Sequence, residues 1–172
     1  MSERKAALRA QFRGRRGHDR SGAARAAVER VLRMPALQRA ETIALYQAIG
    51  DEVPLEAVAR RLRELAKRVL YPVVVGPELE LAPDVARPER VPVAEVDLFL
   101  VPGQVFDRAG RRLGRGGGHY DRLLARKGSN AMVIGICYAD RVVDELPEDP
   151  WDVRMDAVVT DQFHLLPGRA PS

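Results

Sequence analysis

The sequence predicts an α/β fold: a single three-layer α/β/α domain with a largely parallel central sheet and two N-terminal helices. Short apolar, β-branched runs alternate with longer segments whose apolar residues recur at helical spacing, the pattern of strand–helix units stacked in layers. Prolines and glycines fall mainly between these runs, where turns are needed. A chain of 172 residues is long enough to bury a substantial core yet fits one domain, so residues 1–172 are read as one unit.

The elements follow in order. Leu8 and Phe12, one turn apart, mark a first helix that loosens at Gly14 and Gly17. Ala24, Val28, Val31 and Leu32 share one face of a second helix, and Pro35 ends it or starts a short turn. The apolar run Thr42–Tyr46 suits a buried strand. Pro54 suits the first turn of a helix whose buried stripe is Leu55, Val58, Leu62 and Leu65. Arg68–Tyr71 is a second strand, closed by Pro72. The proline-rich stretch Val73–Val93 predicts irregular connection with a short strand at Glu78–Leu81. Val96–Val101 is a clear strand stopped by Pro102-Gly103. A helix is expected from about Gly118 to Lys127, with Gly128 as its stop. Ala131–Tyr138 and Asp156–Thr160 complete the strands, and a frayed, proline-containing tail follows.

Composition excludes several classes. With 46% hydrophobic and 30% charged residues, the chain has an ordinary globular make-up. No apolar run approaches the about 20 residues that span a bilayer, and the charged N-terminus lacks the apolar centre of a signal peptide. A single cysteine, Cys137, forms no internal disulfide, which fits a cytoplasmic location. No membrane partner is expected. Residues 1–40 hold eleven Lys/Arg against three acids. Such an arm suits a polyanion, but Phe12 is its only aromatic and it has no zinc-ligand spacing, so nucleic acid is not the expected partner.

The informative stretch is Arg112-Leu113-Gly114-Arg115-Gly116-Gly117-Gly118-His119-Tyr120-Asp121-Arg122. Glycines without Cβ atoms let successive backbone N–H groups converge on an anion, and the following helix start adds positive potential. Arg112, Arg115 and Arg122 supply charge for phosphate oxygens. Asp121 can hold Mg²⁺ beside phosphates. The spacing is neither that of a P-loop nor of a dinucleotide fingerprint. Spacing alone therefore points to phosphate and leaves the chemistry open, with a plain glycine turn as the alternative.

Asp97–Gly103, then Phe106-Asp107, Gly110, Arg112–Gly114, Gly116–Gly118 and Tyr120–Arg122, together resemble the signature block of the 5-formyltetrahydrofolate cyclo-ligase family. Lys5–Arg9, Tyr46 through Asp51-Glu52-Val53, Val142–Pro147, Pro150–Asp152 and Met155–Thr160 extend the resemblance over nearly the whole chain apart from Val73–Val93. The resemblance implies ATP- and Mg²⁺-dependent conversion of 5-formyltetrahydrofolate to 5,10-methenyltetrahydrofolate. ADP and phosphate would be released, and the route would pass through a phosphorylated formyl (iminium phosphate) intermediate. It implies that Lys5, Arg9, Arg112, Gly114, Gly116, Gly117, Gly118, His119, Tyr120 and Arg122 bind ATP. Arg115, Tyr120 and Asp121 would serve catalysis, and Asp121 and Asp156 would hold Mg²⁺. Glu52, Gln47, Tyr46, Phe106 and Trp151 would meet the folate, and the enzyme is expected to be a monomer.

The chain departs from the family pattern at Arg115 and His119, where tyrosines are usual, and at Arg141, where glutamine is usual. Its Val73–Val93 stretch is also short. These departures keep a second reading open: a divergent member that binds nucleotide but has changed or lost the folate substrate.

Overall fold

The computed structural model describes residues 3–13, 19–84, 86 and 89–167; the expected loosening at Gly14 and Gly17 lies outside them. The chain opens with three helices, α1 (Glu3–Phe12), α2 (Ser21–Leu32) and α3 (Pro35–Arg39). Strand β1 (Thr42–Ala44), helix α4 (Glu56–Glu64) and strands β2 (Arg68–Val75) and β3 (Glu78–Ala82) follow. Next come β4 (Leu98–Pro102), β5 (Val105–Asp107), β6 (Arg112–Leu113) and α5 (His119–Leu124). Strands β7 (Met132–Ile136), β8 (Val142–Val143), β9 (Ala157–Val159) and β10 (His164–Leu165) end the fold. Among the described residues, no helix is long and apolar enough to cross a membrane.

Seven strands form the central sheet in the order β10-β9-β7-β4-β1-β2-β3. Its five inner strands pair in parallel, and only the edge strands β3 and β10 run antiparallel. Strand alternation divides the core between the two faces. Leu98 and Leu100 of β4 and Ile134 and Ile136 of β7 join the side chains of α2, α3 and α4. Phe99, Val101 and Val133 point the other way, to Leu123 and Leu124 of α5. The result is the three-layer α/β/α arrangement. On α4, Val58, Ala59 and Leu62 are buried while Arg60, Arg61 and Arg63 face water. A smaller sheet, β6-β5-β8, lies to one side, and α1 docks on it through Leu8 and Phe12 against Val105, Leu113 and Leu146.

The structure differs from the sequence reading at several points. Pro72 does not close its strand. Strand β1 ends opposite Leu70, so β2 beyond it pairs only with β3, and a missing proline N–H costs no ladder bond on the open side. The expected short strand at Glu78–Leu81 is present as β3, but the stretch read as irregular before it is instead the end of β2, paired with β3 in a hairpin. Gly76, at φ +58°, and Pro77 make its two-residue turn between the paired Val75 and Glu78. Leu65 leaves the α4 stripe and is 41% exposed, because the helix ends before it and the chain turns through Ala66 at φ +57°. Pro35 starts a short helix. The tail holds β10, folded back on β9 by a turn in which the Thr160 hydroxyl accepts the Gln162 and Phe163 N–H groups.

The two ends of the parallel sheet are built differently. At the N-terminal end, Asp97 accepts the N–H groups of Glu41 and Thr42, each at 2.9 Å, and Asp156 accepts that of Val133 at 2.7 Å. These carboxylates stitch strand starts together. At the C-terminal end the chain leaves β1 and β4 for loops and leaves a cavity between them.

Candidate active site

The cavity has a volume of about 400 Å³ and lies at the C-terminal ends of β1 and β4, the usual place for a ligand in such sheets. Several elements line it. Helix α1 supplies Lys5 and Arg9. The loop after β1 supplies Tyr46, Gln47, Ile49 and Glu52. The glycine stretch contributes Arg112 through Asp121, and the segment after β8 contributes Asp149, Trp151 and Asp152. Val74 and Leu79 of the β2–β3 hairpin close one side, and the turn Pro102–Gln104 forms the floor.

The glycine stretch takes a shape other residues resist. Gly116 has φ +109° and Gly118 φ +65°, both in the region that favours glycine. Arg9 lies across this loop, its Nε donating to the Gly114 carbonyl at 2.8 Å. Arg112 is almost fully buried. It pairs with Asp121 at 3.2 Å, reaches the Pro102 carbonyl, and lies 5.4 Å from the centre of the Tyr120 ring. Its Nε donor is buried with no acceptor among the described residues, and so is the acceptor Oε1 of Gln104.

Lys5 is only 5% exposed and is held between two carboxylates, 2.7 Å from Asp149 and 2.5 Å from Asp152. Burial alone would lower its pKa, but the hydrogen bonds and charges of Asp149 and Asp152 outweigh burial and raise it. Asp121 sits beside this pair, accepting the Val153 N–H at 3.2 Å. Across the cavity, Glu52 accepts the Ile49 N–H at 2.9 Å and the Arg115 guanidinium at 3.1 Å. Arg115 also donates to the Ile49 carbonyl, so it fastens the glycine loop to the loop after β1.

Both tyrosines remain protonated. Burial and the Glu52 charge push the Tyr46 hydroxyl well up, and it donates to the Val53 carbonyl at 2.7 Å. Burial likewise raises Tyr120, with Arg112 opposing and Glu52 adding to the rise. Neither is a base near neutral pH; each is a donor.

Most sequence-predicted residues therefore meet in one cavity: Lys5, Arg9, Tyr46, Gln47, Glu52, Arg112, Gly114 through Asp121, and Trp151. Three do not. Phe106 is fully buried beneath the floor, against Gly103 and Gly135, and does not line the cavity. Asp156 lies at the N-terminal end of the sheet, occupied with Val133, on the far side from Asp121. Arg122 turns away from the cavity to the Pro77 carbonyl, Glu78 and the Gly117 carbonyl. Sequence reasoning missed Asp149 and Asp152. The signal was present in Pro150-Trp151-Asp152, an exposed tryptophan flanked by acids in a loop.

Residues 79–161 match the model of the 5-formyltetrahydrofolate cyclo-ligase family. The chain is 36% identical over 147 residues to the 5-formyltetrahydrofolate cyclo-ligase of Mycolicibacterium smegmatis, spanning 73% of this chain and 76% of that one. It is 34% identical over 123 residues to that of Mycoplasma pneumoniae, spanning 71% and 74%. Among solved structures it resembles the 5,10-methenyltetrahydrofolate synthetase of Aquifex aeolicus, with TM-score 0.83, 28% identity and coverage of 98% and 95%. The Mycoplasma pneumoniae 5,10-methenyltetrahydrofolate synthetase matches with TM-score 0.81, 30% identity and coverage of 92% and 99%. Sequence and fold thus agree along most of the length, and the chain belongs to the 5-formyltetrahydrofolate cyclo-ligase family of enzymes.

Proposed function

We propose that this enzyme converts 5-formyltetrahydrofolate to 5,10-methenyltetrahydrofolate, using ATP and Mg²⁺ and releasing ADP and phosphate. The observation that carries the reading is that one cavity gathers two kinds of lining. Lys5, Arg9, Arg112 and the glycine loop, together with the carboxylates Asp121, Asp149 and Asp152, suit a triphosphate with its cation. Glu52 and the buried Gln104 oxygen supply polar groups, and Ile49, Val74 and Trp151 exposed apolar surface, a mixture that suits a flat pterin.

The formyl oxygen attacks the γ-phosphorus, the bond to ADP breaks, and an iminium phosphate forms. The neighbouring ring amine then closes on the activated carbon, losing its proton, and phosphate leaves with the former formyl oxygen. Phosphorylation converts a poor leaving oxygen into a good one, so the protein's contribution is alignment and neutralisation of charge. Lys5 and Arg9 hold the triphosphate from α1. The unsatisfied Arg112 Nε donor suits a phosphate oxygen, and the protonated Tyr120 hydroxyl donates to the transferring group. Arg115 adds positive charge, and His119 a polar ring, where the family has tyrosines. Glu52 orients the pterin by accepting its amino and ring N–H hydrogens, and Tyr46 and Gln47 support that wall.

The donor set also fits the metal. Asp121 and Asp152 are carboxylates of two adjoining walls, and Mg²⁺ takes one or two of these together with phosphate oxygens. Asp156 does not fit. When bound there, the cation would neutralise phosphate charge.

The test is to mix the protein with 5-formyltetrahydrofolate, ATP and Mg²⁺ and follow the methenyl chromophore. Turnover is expected, and Asp121→Ala should abolish it. Mg-ATP binding without any response to 5-formyltetrahydrofolate would overturn the proposal in favour of the divergent-substrate reading.

A further inference from the structure

We propose that Arg141, which lies outside the main cavity, is a positioning residue that holds the nucleotide-binding and folate-binding walls in register. It occupies the short 3₁₀ turn Ala139–Arg141 after β7 and is 5% exposed. One arm of its guanidinium donates to the Phe12 carbonyl at 2.8 Å, and the other pairs with the Asp51 carboxylate. Its charged end also lies 5.6 Å from the centre of the Phe12 ring.

The two partners matter because of what they carry. Phe12 is the last residue of α1, so its carbonyl is one of the four a helix cannot satisfy internally. A cation there satisfies that carbonyl and complements the negative end of the helix. The same helix delivers Arg9, three residues earlier, and Lys5 to the cavity. Asp51 adjoins Glu52, the carboxylate of the opposite wall. A guanidinium keeps its charge when buried and bonds in fixed planar directions, so it fixes the distance between its partners more firmly than a flexible ammonium does. Removing it would take the guanidinium away from both the Asp51 carboxylate and the Phe12 carbonyl. This reasoning rests on the function proposed above for the two walls.

The experiment uses the full chain and its Arg141→Met, Arg141→Lys and Asp51→Asn variants. Hydrogen exchange is measured without ligand, and steady-state kinetics with both substrates. In Arg141→Met, exchange in residues 3–12 and 47–53 should rise together, on the order of tenfold. Because the substrates lose alignment more than affinity, kcat should fall on the order of 100-fold while each KM changes by less than about fivefold. Arg141→Lys should recover part of both effects.

Exchange that rises in one segment alone, or an unchanged kcat in folded Arg141→Met, would overturn the assignment. If Arg141→Met fails to fold, Arg141→Lys and Asp51→Asn decide by the same two measurements. Absence of turnover in the unmodified protein would sink the functional reading, whereas the exchange comparison would still decide the role of Arg141.

Discussion

Gly135→Ala tests whether Phe106 acts as a packing wedge, the role its burial favours over the folate contact that the resemblance implies. A Cβ on Gly135 would lie 2.3 Å from Cε1 of Phe106 and 2.9 Å from Cδ1 and Cζ. Ordinary carbon contacts are about 3.5–4.0 Å, so the ring or the strand must move. The ring has little room to retreat, because its other edge lies so close to Gly103 that a Cβ built there would sit 2.7 Å away, and Phe106 is fully buried. Overpacking of this kind costs about 1–3 kcal/mol, and the short contact with a trapped ring argues for the upper half. For a chain of this size that corresponds to a fall in Tm of roughly 4–12 °C. Thermal unfolding followed by calorimetry or fluorescence measures it. Phe106→Leu should be destabilising by itself, while the double variant should lose less than the sum, because leucine vacates the space the new methyl needs. The KM for 5-formyltetrahydrofolate should change less than about twofold in Phe106→Leu, since the residue does not line the cavity. A Gly135→Ala protein melting within about 1 °C of the unmodified one would refute the packing argument.

Three further predictions concern charge. Asp152→Ala should weaken Mg-ATP binding by at least about tenfold, while Asp156→Ala should leave it intact and lower Tm; isothermal titration of both variants decides between the two carboxylates. The Lys5 pKa is raised in the fold, so its stabilising contribution is present below the ordinary lysine value of about 10.4 and is lost as pH climbs through the folded value. Lys5→Met should therefore narrow the stability difference from the unmodified protein as pH rises past that point, in urea titrations across the alkaline range. Burial pushes the Cys137 thiol far up, with Asp140 and Asp161 adding to the rise. It should resist alkylation at pH about 8 until the protein unfolds, and Cys137→Ser should keep its turnover.

Periodicity made the layers legible, because each inner strand had to be apolar on both faces and α4 on one. The glycine loop was equally legible, since contiguous glycines imply a backbone conformation and that conformation appears at Gly116 and Gly118. What escaped the sequence depended on partners distant along the chain. Asp152 and Asp156 are four residues apart and chemically identical. One lies in a loop folded back against Lys5, 147 positions away, and the other caps a strand start. Phe106 failed for a similar reason. Its aromatic ring suits either a pterin or a core, and only the absence of side chains at Gly103 and Gly135 reserves it for the core.

The short Val73–Val93 stretch is one of the departures that keep a changed folate substrate open, yet its local structure still supplies a side of the cavity. A two-residue turn needs far less chain than an irregular flap, and the hairpin still brings Val74 and Leu79 to the cavity. Two arginines brace it from outside. Arg122 of α5 donates to the Pro77 carbonyl at 2.5 Å and pairs with Glu78, and Arg126, just beyond that helix, donates to the Leu79 carbonyl at 2.5 Å. Helix α5 itself begins where the glycine loop ends, and Arg122 also returns to the Gly117 carbonyl. The segment that shapes the proposed phosphate seat is thus bonded directly to the wall proposed for folate. Arg115 joins the same loop to Glu52 on the opposite side. In the function proposed here, shortening the chain removes length from the wall without detaching it, and the glycine loop is the common anchor for both substrates.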